Sequence, residues 1–185
     1  LIGKGVLTVN HINEWQISMS PSELKKPIVA SLHRLLKPLA YRKTGGLFSR
    51  KSDDVVHLID VQGSRDNSRE LARFTINVAI WALPLIDEDM LDFTKPSVAG
   101  SHWRERLGFL SPCNVDMWWP VSTPGEAEIA AGEISSMVDL YALPTLGSLS
   151  SFQSLVSLWQ SGNSPGITEY QRKDYLEQVP LLHCK

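Results

Sequence analysis

No apolar run in the chain approaches the ~20 residues that a membrane-spanning helix needs, so a membrane protein is not expected. Leu1 to Gln16 mixes polar residues into every short apolar stretch and lacks the pattern of a signal peptide. Cysteine is scarce: Cys113 and Cys184 lie far apart and form no CxxC, which argues against a zinc cluster or a disulfide scaffold. Two free thiols suit a reducing cytoplasm. GxSxG, HExxH, Walker and GxGxxG patterns are all missing, which removes the common nucleophile elbow, zinc protease and nucleotide cradle.

What the chain does contain is a soluble composition, 43% hydrophobic and 21% charged, at a length of 185 residues that suits one domain with a real core. Its net charge of −2 is unevenly spread. Residues 1 to 75 carry 12 Lys/Arg against 7 Asp/Glu, and residues 76 to 185 carry 6 against 13. Arg34, Lys37, Arg42, Lys43, Arg50 and Lys51 all precede the next acid, Asp53. Such a run could meet phosphates, but because the total charge is not basic, a solvated face outweighs nucleic-acid binding.

Ser20-Pro21-Ser22-Glu23 combines an N-cap, a first-turn proline and an N3 acid, predicting a helix over 21–38 with Leu24, Ile28, Leu32, Leu35 and Leu39 on its buried stripe. Pro27 is a place for that helix to kink or restart. Met19 immediately precedes the cap, and residues 1–18 are expected to be a dispensable leader to a single domain over 19–185. Leu47 to Arg50 and Val55 to Gln62 read as a hairpin across Lys-Ser-Asp-Asp. Arg73 to Leu83 is the strongest strand signal: Phe74, Ile76, Val78 and Ile80 alternate with Arg73, Thr75, Asn77 and Trp81. Ser101 to Phe109 alternates again, with Trp103, Leu107 and Phe109 on the core side and His102, Arg104 and Arg106 on the other, and Asp116 to Val121 reads as a short strand that Pro120 confines to an edge or a strand end. Helices then start at Thr123, Ser150 and Thr168, each with Glu or Gln three residues later, separated at Leu143-Pro144 and at Gly162 to Gly166.

Strands first and helices afterwards, behind one leading helix, predict an α+β fold: a mostly antiparallel sheet of about five strands with helices packed on one face. The opposite face then collects Asp60, Gln62, Thr75, Asn77, Trp81, His102, Arg104 and Arg106. Asn77 matters most, because a mid-strand amide needs partners or open solvent. Arginines beside it could fork onto a carboxylate or phosphate, although cross-strand pairing of Arg104 or Arg106 with Asp60 explains the same residues more simply. Trp118 and Trp119, adjacent in a strand, must point to opposite faces. One is expected in the core and the other beside Arg106 as a cation–π platform. His33 is expected on the surface of the first helix, and His57 as a satisfied structural histidine. His102, Cys113 and Asp116 match no standard metal spacing, and the acidic group Asp87, Glu88, Asp89 and Asp92 reads as a solvated helix start.

INVAIW, HWRERLGFL and DMWW at short spacing, preceded by a helix and the LFSRK strand, resemble the bacterial family catalogued as domain of unknown function 4304. The resemblance covers about Leu32 to Trp159. Its most specific parts are the strand asparagine, the Arg-x-x-Leu-Gly of Arg104 to Gly108, and the tryptophan pair. It implies a bacterial cytosolic domain and supplies no activity; Asn77, Arg106, Trp118 and Trp119 carry over as family features without roles.

The expectation is a cytoplasmic binding or interaction module using Asn77, Arg104, Arg106, Trp118, Trp119 and His102, with no cofactor and no metal. Its partner would be a protein or a small anionic ligand. The alternatives are an enzyme using Arg106 electrostatically with His102 as acid or base, and a toxin-neutralising partner protein.

Overall fold

The computed structural model describes residues 19–86 and 95–182; the leader at 1–18 and the acidic group at 87–92 lie outside these. Helix α1 (Pro21–Leu36) starts as its sequence predicts. The Glu23 N–H donates to the Ser20 hydroxyl at 3.3 Å, and the Ser20 N–H donates to the Glu23 carboxylate at 2.9 Å. The helix runs on through Pro27 and buries Leu24, Ile28, Leu32 and Leu36. Leu36 replaces the expected Leu39 because the chain tightens into a 3₁₀ turn at Lys37–Leu39, leaving Leu39 39% exposed.

Among the described residues the sheet has six antiparallel strands: β1 (Arg42–Thr44), β2 (Leu47–Ser52), β3 (Val55–Gly63), β4 (Ala72–Ala82), β5 (Trp103–Arg106) and β6 (Trp119–Val121). Their order is β1-β2-β3-β4-β5, and β6 also pairs with β4, opposite residues 72–74. The three-residue β1 escaped the sequence reading, since Arg-Lys-Thr offers no alternation to detect. β5 is shorter than expected: Leu107–Leu110 turn into the helix α2. Phe109 therefore leaves the core side and is 40% exposed.

After β6 the chain is helical. α3 (Pro124–Met137) begins at a capping box of Thr123 and Glu126. It continues through a π-helical stretch at Val138–Ala142 into α4 (Leu143–Ser148). Leu143-Pro144 thus does not separate two helices: the wider π turn takes up the N–H that proline lacks and the bulk of its ring. α5 (Phe152–Gln160) is capped by Ser151 with Ser154, one residue later than the expected Ser150 and Gln153. α6 (Glu169–Leu182) follows Thr168, whose hydroxyl accepts from the Gln171 N–H at 3.2 Å.

One face of the sheet carries the main core. Phe48, Val55, Ile59, Val61, Phe74, Ile76, Val78 and Ile80 pack with the α1 stripe and with Ile134, Leu155 and Trp159 of the later helices. His57 lies on this face, fully buried; its Nε2–H donates to the Leu149 carbonyl at 3.2 Å and its Nδ1 accepts from Arg50 at 3.2 Å. The other face is divided. Toward the hairpin turn, Val56, Leu58, Ala79 and Trp81 form a smaller apolar cluster under Leu83, Ile86 and Val98. Toward the other end, the polar groups stay uncovered.

Gly108 holds a second layer of chain against that end. A Cβ there would collide with the Val115 carbonyl oxygen and lie 2.7 Å from the Met117 Cβ. Gly108→Ala is expected to lower stability by about 3 kcal/mol, the upper range for forced overpacking. Urea unfolding checks this; an unchanged midpoint would show that residues 115–117 yield freely.

Candidate functional site

Asp60, Asn77 and Arg106 are direct cross-strand partners on β3, β4 and β5, so three polar side chains form one row across the uncovered part of the sheet. Gln62 and Arg104 stand two residues from the row in opposite directions, level with Thr75 and Ala79, on the same side of their strands. The row opens into a cleft of about 700 Å³, a size that suits a small ligand. Arg65, Glu105 and Phe109 complete its polar and aromatic wall.

The amide of Asn77 organises the floor. Its Nδ2 donates to Gln62 Oε1 at 2.8 Å, and it also hydrogen-bonds the Asp60 carboxylate. Burial pushes Asp60 above its ordinary pKa, against the opposing pull of Lys25 and of the Asn77 bond. Burial likewise raises Glu105, opposed by the Arg106 N–H that its carboxylate accepts and by the Arg106 charge.

The arginines differ in how they are held. Arg106 pairs with Asp116 and lies over the Trp118 ring, its guanidinium carbon 5.0 Å from the ring centre. The expected Arg–Asp60 ion pair is absent among the described residues, because Asp116 from the layer above reaches Arg106 instead. Arg104 donates through Nη1 to the carbonyls of Val98 and Ala99, at 3.4 and 3.2 Å. Its Nε and Nη2 make no hydrogen bond among the described residues, which leaves one forked edge available to a carboxylate or phosphate. Gly166 presses against Arg104 from the other side, in a left-handed conformation (φ +74) where any Cβ would collide with the arginine. Arg65 is exposed and makes no ion pair among the described residues.

Four of the expected residues lie outside the open cleft, although Thr75 and Trp81 stand on the same sheet face as Asn77. His102 precedes β5 and is 5% exposed: its Nδ1 accepts from the Ala82 N–H at 3.0 Å, and its ring lies edge-on to Trp81 and Tyr175. Trp81 belongs to the small apolar cluster. Thr75 is buried beneath the second layer and donates to the Met117 carbonyl at 2.8 Å. Trp119 packs in the core, with its Nε1–H donating to Glu133 at 3.1 Å, so of the pair only Trp118 reaches Arg106. His102, Cys113 and Asp116 are not gathered into a metal-holding group among the described residues. The sequence reading missed Arg65 and Phe109 as cleft residues. Gly108 was the available signal, because a glycine in a strand pattern often marks a bend or a close backbone approach.

A family model described as Domain of unknown function (DUF4304) matches residues 32–148, well over half of the chain. The chain belongs to this family. No curated protein and no solved structure matches it. In this family member the matched stretch holds the whole sheet, hence Asn77, Arg104, Arg106 and Trp118, whereas Gly166 and Tyr175 lie beyond it. Among the described residues no helix is long and apolar enough to cross a membrane.

The buried histidines give this family member a defined acid response. Desolvation lowers His102 from 6.5 to about 4, and lowers His57 as well, outweighing its bond to Leu149. A depressed histidine binds fewer protons folded than unfolded. Its stabilisation is therefore complete above the unfolded value of 6.5 and is lost as pH falls toward about 4. For His102 the loss is on the order of 3 kcal/mol. His102→Asn, which keeps an acceptor and removes the titration, is expected to flatten the stability–pH slope in urea titrations over this window; a slope equal to wild type would reject the assignment.

Proposed function

We propose that the protein is a binding module whose cleft takes a small polar ligand carrying a carboxylate or phosphate. The observation that carries this reading is the free forked edge of Arg104 beside the Asp60–Asn77–Arg106 row, in a cleft of about 700 Å³. Arg65 adds a second cation without an ion pair among the described residues. The amides of Asn77 and Gln62 supply neutral hydrogen-bonding groups, and Phe109 offers a ring for stacking. The Asp60 and Glu105 carboxylates select against ligands of purely negative surface, because a second anion beside them is repelled.

The rival enzyme reading needs His102 as the acid or base, and the burial of that imidazole beneath Trp81 and Tyr175 argues against it. A reducing cytosolic setting accords with cysteines that stand so far apart in sequence.

Citrate and inorganic phosphate serve as probes in an NMR titration that follows arginine Nε and asparagine side-chain resonances. Shifts are expected at Arg104, Arg65 and Asn77. Arg104→Lys keeps the charge and removes the planar fork, so it is expected to weaken binding about tenfold, as loss of a charge-assisted hydrogen bond does. Shifts scattered over the surface, or an affinity indifferent to Arg104→Lys, would refute the reading.

A further inference from the structure

A separate hollow of about 550 Å³ lies between α1 and the turn that joins β1 to β2. Val29 and Ala30 of α1 form its apolar floor, and Lys25, Lys26 and Lys43 stand around it. No carboxylate lines it, and none of the three lysines makes an ion pair among the described residues. Lys26 acts on the Glu23 carboxylate and Lys25 on the Asp60 carboxylate. Neither carboxylate reaches the hollow.

His33 also lines the hollow, and its Nδ1 is buried without a hydrogen-bond partner. An orphaned polar atom of this kind is costly unless something supplies the missing bond. The turn is shaped to let a lysine in close. Gly45 is left-handed (φ +60), and a Cβ on Gly46 would lie 2.7 Å from the Lys25 ammonium nitrogen. The three lysines thus stand around a concave, partly apolar surface.

We propose that this hollow is a second binding site, one for a small amphipathic anion: a carboxylate or phosphate among Lys25, Lys26 and Lys43, with an apolar body laid on Val29 and Ala30. The lysine stems extend the apolar contact while their ammonium groups meet the charge. His33 lines the edge of the site. The hollow shares no lining residue with the Arg104 cleft, which lies beside β5, whereas this one lies against α1 and β1.

The test uses the full 185-residue chain and three probes: octanoate, which has charge and body, octanol, which has the body alone, and inorganic phosphate, which has the charge alone. By calorimetry and NMR, octanoate is expected to bind and to shift the Gly45 and Gly46 amides and the His33 ring. The other two probes should bind there at least about tenfold more weakly. Lys26→Glu with Lys43→Glu reverses two exposed charges and should weaken octanoate about tenfold without moving the melting temperature. Ala30→Trp, made at an exposed helix position, fills the hollow and should do the same with every charge intact. Octanoate binding that ignores both variants, octanol or phosphate binding as tightly, or shifts confined to the Arg104 cleft would overturn the proposal.

Discussion

The register of β4 is the constraint on which the rest depends. Its eleven residues pair along one side with β3 and along the other with β5 and β6. Side chains alternate along a strand, so a slip of one residue would turn Asn77 into the core and Phe74, Ile76, Val78 and Ile80 onto the uncovered face. The large apolar cost of such a slip fixes the polar row as firmly as it fixes the core. The same pairings that seal the helical side therefore align Asp60, Asn77 and Arg106.

Depth is added by segments that press on the sheet where a glycine permits it. Gly108 admits residues 115–117 close above β4 and β5, which buries Thr75 under Met117 and brings Asp116 and Trp118 to Arg106. Gly166 does the same for the loop before α6 against Arg104, and the Arg104 N–H donates to the Pro165 carbonyl at 3.3 Å, closing the outer edge of β5. These approaches turn a flat polar face into a cleft with walls. They also separate the arginines by role: Arg106 is tied to a carboxylate and a ring, and Arg104 is tied only on one side.

The buried imidazoles of His57 and His102 follow the rule that a desolvated donor or acceptor must be paired. His57 bridges Arg50 and the Leu149 carbonyl, which links β2 to the loop before α5. His102 takes the N–H of Ala82 at the end of β4. Both act as neutral acceptors inside the protein. Their presence explains why histidines on apparently suitable strand positions contribute to cohesion and leave the open cleft to arginine, amide and carboxylate.

Much of this was legible in the residues themselves. The capping box at Ser20, the alternation from Arg73 to Leu83 and the opposite facing of Trp118 and Trp119 follow from local spacing, because caps and strand periodicity are set by neighbours in sequence. Asn77 and Arg106 were recognisable as members of one face for the same reason. Local spacing could not tell where β5 ends, and extending its alternation put Phe109 in the core and His102 beside the arginines. Nor could it foresee that Pro144 would sit inside a continuing helix, since a π turn forms through the helix's own rearranged bonds. The chain by itself determined which side chains alternate and where helices begin. Only the tertiary structure decided which polar groups stay open, because covering a face is the work of distant segments such as 115–118 and 164–167, whose approach depends on long-range packing.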